Sequence, residues 1–240
     1  MRIAIIITIM NNTDNLIVRG VPVTSTIVEF DDHTLSIIDT GMADNPDLIK
    51  QLDNMGYKPS DFSFVFNTHL HPDHIGGNRH FKNARIFISR KELVYHQSLE
   101  NACHTSGTVP DIPGSMLIRE MMEKYPIADL IGAPGQIEFL EDHSLLPRNI
   151  KLIPTPGHSI DDHAIILQGR IKEVLIVGDA LYHRNLWRET SIPGINFNED
   201  MFYQCAQCLS EFPGIIVPGH DFAFDNATCE YLEANEFINI

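Results

Sequence analysis

Basic residues are scarce in this chain of 240 residues, where 17 lysines and arginines stand against 32 aspartates and glutamates. The formal net charge of −15 gives a surface that repels phosphate backbones unless its cations are clustered. The densest basic stretch, residues 85–91, holds only three cations. We therefore expect no nucleic-acid partner.

Cysteine is also scarce, since the chain has four, and they are scattered along it. Four are too few for a disulfide scaffold. Cys205 and Cys208 have the spacing of a redox pair, but they lie in a stretch with the pattern of a helix, residues 199–212. We interpret them as two small residues one helical turn apart.

Long apolar runs are absent, and none approaches the roughly 18 to 20 residues that a membrane span requires. Residues 1–10 are apolar after Arg2, but the run is short and no small-x-small cleavage site follows it. We interpret residues 1–10 as a first β-strand. We expect a soluble, cytoplasmic protein with reduced thiols and no membrane partner.

Apolar residues are plentiful: they make up 43% of the chain against 20% charged residues, which is enough for a packed core. The length suits a single domain, which we expect to cover residues 1–240. Twelve histidines are many for such a chain and direct attention to metal binding. Of these, His80, His96 and His143 are assigned to predicted surface elements.

Short β-rich runs alternate with turns and helical segments along the whole chain. Strands are predicted at residues 24–30, 35–39, 62–67, 86–89, 150–154, 164–167, 174–177 and 215–217. Helices are predicted at residues 45–55, 90–100, 115–124, 200–212 and 226–236. Many of the strands are apolar at consecutive positions, which indicates sheets covered on both faces. Two β-rich halves with outer helices predict an α/β fold, a four-layer αββα sandwich, although other α/β layouts fit the strands alone.

Residues 103–135 lie between the two halves and carry four prolines around the predicted helix at 115–124. This helix has an apolar stripe that includes Met121 and Met122. We interpret the segment either as a surface insertion packed on the core or as the wall or lid of a substrate pocket.

The strongest local pattern is a cluster of metal-type side chains directly after a predicted apolar strand. Within six residues it contains His69, His71, Asp73 and His74. His69 and His71 can point toward one metal ion, while Asp73 and His74 turn toward a second. Two glycines follow and let the chain pass close beneath the cluster without Cβ clashes. Imidazoles with carboxylates suit zinc, but a two-metal site needs more ligands than this motif supplies.

Three further metal-type side chains lie in the second half, each after an apolar strand and a glycine: His158, Asp179 and His220. A single histidine after a strand is more often structural than functional. The repetition of one pattern at several strand ends in the same chain favours a shared metal site.

The full set resembles the metallo-β-lactamase superfamily over residues 23–222, most of the chain. The resemblance implies an αββα sandwich with a dinuclear site at the edge of the two sheets. By position, it assigns the first metal to His69, His71 and His158. It assigns the second metal to Asp73, His74 and His220, with Asp179 bridging both. Histidine at position 71 disfavours the diiron flavoprotein branch, which typically has glutamate there.

Two residues outside the ligand set receive roles from the resemblance. Tyr182 lies three residues after Asp179, a spacing similar to that of the N-acyl homoserine lactonases, which implies a hydrogen bond to the substrate carbonyl. Its alternative is an aromatic residue packed near the site. Asp39 is implied to accept the second N–H of a ligand histidine and so to fix its tautomer. From its position alone, Asp39 fits a turn aspartate equally well.

The resemblance therefore implies a hydrolase with two Zn²⁺ ions, or Fe, Mn or Co in their place. Metal-bound hydroxide would attack an ester or lactone carbonyl, with Tyr182 at the oxyanion and Asp73 handling the proton. The acidic charge favours a neutral or amphiphilic small-molecule substrate. A homodimer is left open.

Two other functions stay open. One is a thioester hydrolase of the glyoxalase II type, although the 20 residues after His220 are too few for the C-terminal helical domain usual in that group. The other is an oxidoreductase similar to the mononuclear-iron dioxygenases, which need only part of the ligand set. The presence of Asp73, His74 and His220 together favours two metals.

Overall fold

The computed structural model describes residues 1–11, 19–106, 115–186 and 196–240. Its strands are β1 (Arg2–Ile9), β2 (Pro22–Glu29), β3 (Leu35–Ile38), β4 (Phe62–Phe66), β5 (Arg85–Ile88), β6 (Ile137–Phe139), β7 (Ile150–Pro154), β8 (His163–Gln168), β9 (Glu173–Gly178), β10 (Ile215–Pro218), β11 (Phe224–Asp225) and β12 (Ile238–Asn239). In the described residues they form a seven-stranded sheet, β12-β1-β2-β3-β4-β5-β6, and a five-stranded sheet, β11-β10-β9-β8-β7.

The helices are α1 (Asp47–Asn54), α2 (Pro72–Ile75), α3 (Arg90–Ser106), α4 (Ser115–Lys124), α5 (Ile127–Leu130) and α6 (Glu199–Ser210). Single 3₁₀ turns lie at Pro59–Asp61, Asn78–His80, Pro134–Gln136 and His143–Leu145. Among the described residues, no helix combines the length and the apolar content needed to cross a bilayer.

The two sheets face each other across an apolar layer. Ile5 and Phe66 of the first sheet lie in one buried cluster with Ile165 and Ile176 of the second. Each fully buried side chain of this kind stabilises the fold by about 1.5–3 kcal/mol. The contact between sheets explains why these strands are apolar on the inner face.

A helix covers the outer face of each sheet. Leu48 and Leu52, one turn apart on α1, are buried in the apolar cluster outside the first sheet. Phe202 and Leu209 of α6 are buried in a separate cluster outside the second sheet. The order helix, sheet, sheet, helix confirms the predicted αββα sandwich.

The strand ends that carry the candidate residues meet at common edges. In the second sheet β8 is antiparallel to both β7 and β9, and β10 is parallel to β9. The strands β7, β9 and β10 therefore run in the same direction and end at the same edge. In the first sheet β4 is parallel to β3 and β5, and its carboxyl end leads into the histidine-rich loop.

The helix predicted at residues 226–236 is wrong. After β11 the chain forms a turn, because the Asp225 carboxylate accepts the backbone N–H groups of Ala227 (3.0 Å) and Thr228 (3.4 Å). Such local side-chain bonds offer the backbone an alternative to a helix. Cys229 then takes a left-handed φ of 59°, which a helix does not accommodate.

Part of the segment 103–135 packs on the core. Tyr125, Ile127 and Leu130 are buried in the apolar cluster outside the first sheet, and Met122 is buried as well. Residues 107–114 lie outside the described part of the chain, as do the side chains of residues 115–119. The pocket-wall function of this segment therefore stays a prediction.

Candidate metal centre

The histidine-rich loop changes direction at its middle. His71 has an extended backbone, with φ −71° and ψ 147°, and serves as N-cap of the short helix α2. Pro72 at the first position of α2 fixes the start of this turn. His69 and His71 therefore precede the turn, whereas Asp73 and His74 lie within it, and this separates the four side chains into two pairs.

The glycines after the loop allow a close approach of two backbones. A Cβ atom on Gly76 would lie 1.9 Å from the backbone nitrogen of Ala43, and one on Gly77 would lie 2.3 Å from the carbonyl oxygen of Thr40. Both distances are far below van der Waals contact. The predicted need for glycine at both positions is confirmed, and the close neighbour is the backbone of residues 40–43.

All seven predicted ligands come together in two neighbouring groups, and the ligand atoms of each group lie within 4.8 Å of one another. The first group contains His69, His71, His158 and Asp179, and the second contains Asp73, His74 and His220. In the first group, Nε2 of His158 lies 2.8 Å from Nδ1 of His71. In the second, Oδ2 of Asp73 lies 3.8 Å from Nε2 of both His74 and His220.

The carboxylate of Asp179 lies between the two groups. Its Oδ2 atom is 3.2 Å from Nε2 of His158 in the first group and 3.1 Å from Nε2 of His220 in the second. Its Oδ1 atom is 3.1 Å from Nε2 of His74. One carboxylate thus contacts ligand atoms on both sides, as a bridging ligand must.

The candidate ligand atoms have the properties of a metal-binding site. Three of its atoms, Nε2 of His69, Nε2 of His74 and Oδ1 of Asp179, are buried without a hydrogen-bond partner among the described residues. The last two lie 3.1 Å apart, but their orientation does not make a hydrogen bond. Buried polar atoms are rarely left without a partner because desolvation penalises them. Imidazole nitrogens and carboxylate oxygens facing one point fit zinc or a similar divalent ion.

The electrostatics of the first group favour neutral imidazoles. Burial, reinforced by neighbouring histidines, holds the pKa of His69 and of His71 well below the usual value. Burial also lowers the pKa of His158, against the opposing charge of Asp179. A histidine must be neutral to bind a metal, so these shifts prepare the first group for an ion.

The second group contains an ion pair. Burial opposes the charged form of His74, but the charges of Asp179, Asp39 and Asp73 outweigh it and raise the pKa of this imidazole well above its usual value. Burial likewise opposes ionisation of Asp179, and His220, His74 and His158 nevertheless hold its pKa well below the usual range. A metal ion that binds here takes the place of a proton.

Asp39 makes the contact expected of it. Its Oδ2 atom lies 2.8 Å from Nδ1 of His74, and Thr68 donates its backbone N–H to Oδ1 (2.9 Å) and its hydroxyl to Oδ2 (2.8 Å). The sequence reasoning missed Thr68, whose hydroxyl is also 3.1 Å from Nδ1 of His69. The contacts fit the predicted support of ligand tautomers, which itself stays a prediction.

Tyr182 lies behind His158, one of the candidate ligands. Its hydroxyl is 2.5 Å from Nδ1 of His158 and donates to Oδ1 of Asn196 at 3.0 Å. The ring stacks on Phe202 and on His220, with centroids 5.6 and 5.9 Å apart. The predicted hydrogen bond to a substrate carbonyl has to compete with these contacts. Nothing in the local sequence pointed to Asn196.

The assignment of His96 to a surface element is wrong, because the residue is buried on α3 with its ring centroid 5.9 Å from that of His71. Nε2 of His96 lies 3.5 Å from Oε2 of the buried Glu92, one turn earlier. The other oxygen of Glu92 accepts the backbone N–H of Asp161 at 2.7 Å. Sequence reasoning missed this pair because the inner face of α3 carries ionisable residues where an apolar stripe would be expected.

Two facing sheets with helices outside, and seven histidine and aspartate side chains at one edge, define a metal-binding αββα protein. The family model described as the metallo-beta-lactamase superfamily matches residues 18–220. The chain belongs to this superfamily.

Curated relatives include metallo-hydrolases and lactonases. A probable metallo-hydrolase of Methanocaldococcus jannaschii is 25% identical over 186 residues, which cover 77% of this chain and 70% of the relative. An N-acyl homoserine lactonase of Bacillus cereus is 26% identical over 186 residues, which cover 75% of this chain and 64% of the lactonase. The match thus covers slightly less than two thirds of the lactonase.

Solved structures show the same fold. An N-acyl homoserine lactone hydrolase with bound product has a TM-score of 0.64 at 20% identity, over 99% of this chain and 98% of that one. A dizinc quorum-quenching lactonase has a TM-score of 0.61 at 18% identity, over 92% of this chain and 79% of that one.

Proposed function

We propose that this protein is a dinuclear zinc-dependent hydrolase that acts on an ester or lactone carbonyl. The observation that carries the proposal is the position of Asp179, whose carboxylate contacts His158 in one ligand group and His74 and His220 in the other. A site for a single ion needs no bridging carboxylate between two groups. The likeness to lactonases supports the choice of carbonyl substrate.

Two divalent ions bound at such a site would supply a nucleophile at neutral pH and polarise the carbonyl. His69, His71 and His158 would hold the first ion, and Asp73, His74 and His220 would hold the second. The side chain of Asp73 keeps 16% exposure, whereas that of His74 is fully buried. This partial exposure supports our proposal that Asp73 exchanges a proton with solvent or with the departing alcohol.

The substrate that we propose is a neutral or amphiphilic small molecule. The net charge of −15 gives anionic substrates no long-range attraction. Proteins that share a fold differ in function through the residues around their sites. Residues 103–135 are the segment that we propose as a pocket wall. We propose that this segment and the metal site belong to one domain over residues 1–240.

Metal analysis of protein purified without added metal tests the proposal. We expect about two zinc ions per chain, together with hydrolysis of at least one compound in a panel of lactones, esters, thioesters, β-lactams and phosphodiesters. About one iron per chain would overturn the proposal in favour of a dioxygenase-like oxidoreductase. Two zinc ions with turnover of thioesters alone would overturn the choice of ester or lactone.

A further inference from the structure

The hydroxyl of Tyr182 joins a ligand histidine to a buried amide. It lies 2.5 Å from Nδ1 of His158 on one side and 3.0 Å from Oδ1 of Asn196 on the other. Tyr182 and Asn196 are both buried, at 8% and 5% exposure. The three side chains thus form one hydrogen-bonded chain on the side of His158 that faces away from the ligand cluster.

The direction of each hydrogen bond follows from the orientation of His158. Its Nε2 atom faces the cluster, 2.8 Å from Nδ1 of His71 and 3.2 Å from Oδ2 of Asp179. A nitrogen that binds a metal carries no proton, so the single proton of the neutral ring lies on Nδ1. Nδ1–H then donates to the oxygen of Tyr182, and the phenol donates its only proton to Asn196.

The backbone around Asn196 keeps this amide in place. Phe197 donates its backbone N–H to the carbonyl of His158 at 2.9 Å, and Asn198 donates to the carbonyl of Gly157 at 2.8 Å. The side chain of Asn198 also accepts the N–H of Met201 and caps α6. The backbone next to Asn196 is therefore held both by the loop of His158 and by the start of α6.

Packing leaves the Tyr182 ring little freedom. The ring stacks on Phe202 and on His220, and it meets the His158 ring edge to face at a centroid distance of 5.2 Å. A packed phenol whose hydroxyl lies between two fixed partners suits the role of a relay.

We propose that Tyr182 and Asn196 are positioning residues, which hold His158 in the tautomer that binds metal, and that the phenol does not donate to the substrate. This inference rests on the proposed metal site. Such outer partners of metal ligands typically change metal affinity by 10- to 100-fold.

Metal affinity separates the two roles of Tyr182 without any substrate. We expect Tyr182→Phe to weaken retention of one of two zinc ions by about 10- to 100-fold in competition with a chromophoric chelator. We also expect it to change the visible spectrum of the cobalt-substituted protein. Tyr203→Phe removes a hydroxyl from an exposed ring on α6 and should match wild type in both measurements. Circular dichroism checks that each variant is folded.

Substitutions of Asn196 test the far end of the hydrogen-bonded chain. Asn196→Ala should weaken zinc retention as Tyr182→Phe does, and the double variant should lose little more, because both changes break one relay. Asn196→Asp keeps an acceptor for the phenol proton and should restore most of the affinity.

A Tyr182→Phe protein with wild-type zinc affinity and cobalt spectrum would overturn the inference, and a lower kcat/KM in that protein would assign the phenol to the substrate instead. These measurements also distinguish this inference from the proposed function. Two zinc ions in wild type without hydrolysis of any compound in the panel would refute the hydrolase, yet the comparison of affinities would still decide the role of Tyr182.

Discussion

Oδ2 of Asp39 lies 2.8 Å from Nδ1 of His74, and both side chains are buried. The same oxygen accepts the hydroxyl of Thr68, which in turn lies 3.1 Å from Nδ1 of His69. One carboxylate therefore orients a histidine of each ligand group, directly in one case and through a hydroxyl in the other. Both Nε2 atoms are left facing the metal positions.

Asp39→Asn tests this double role. An amide replaces one acceptor oxygen by a donor, so it cannot serve both His74 and Thr68 as the carboxylate does. We expect the variant to fold and to lose zinc affinity by about 10- to 100-fold. Competition with a chelator measures this, with Asp53→Asn on the exposed face of α1 as the control. Wild-type affinity would make Asp39 a structural turn residue.

His71→Ala and His158→Ala test the assignment of the first group. Burial lowers the pKa of both imidazoles. Replacing either one therefore changes the ligand set of the site much more than its charge. We expect zinc content to fall from about two to about one per chain and hydrolysis to fall to background, while the fold is kept. His143→Ala, at an exposed position, is the matched control. Unchanged kcat in either ligand variant contradicts the assignment.

The sequence predicts those features that depend on local pattern. His158, Asp179 and His220 could be predicted because each follows an apolar strand and a glycine directly in the sequence. Asn196 could not be found, because it reaches Tyr182 only through backbone pairing with the loop of His158. Glu92 was missed for a similar reason, since it ties α3 to the distant Asp161, and such contacts exist only after the layers have packed.

Glu92, a buried carboxylate near the candidate site, makes the stability of the fold depend on pH in the acid range. Burial would raise the pKa of this carboxyl, but the neighbouring imidazole of His96, 3.5 Å away, outweighs burial and lowers it from 4.5 to about 2. A carboxyl whose pKa is lower in the folded protein than in the unfolded chain stabilises the fold at pH values above the unfolded pKa. This contribution is lost as the pH falls from about 4.5 to about 2. At about 1.4 kcal/mol per pKa unit, the difference between the unfolded and folded pKa values corresponds to about 3 kcal/mol of stability.

Denaturant unfolding of Glu92→Gln against wild type measures this contribution. We expect the variant to be less stable by about 3 kcal/mol at pH 6 to 7 and the two curves to converge toward about pH 2. Glu211→Gln, at an exposed position after α6, should follow wild type throughout. A stability difference for Glu92→Gln that does not change with pH would show that the residue acts by packing alone.

Gly219 leaves room for the bridging carboxylate. A Cβ atom at this position would lie 2.0 Å from Oδ1 of Asp179 and 2.9 Å from the carbonyl carbon and oxygen of Gly178. The backbone of Gly178 cannot yield easily at the end of β9, so the side chain of Asp179 must move. We expect Gly219→Ala to lose zinc and hydrolytic activity together, and stability by about 1–3 kcal/mol through overpacking. Gly135→Ala is the matched control, since its Cβ would meet no atom within 4 Å. Full zinc content and activity in Gly219→Ala would contradict the position of Asp179 between the two ligand groups.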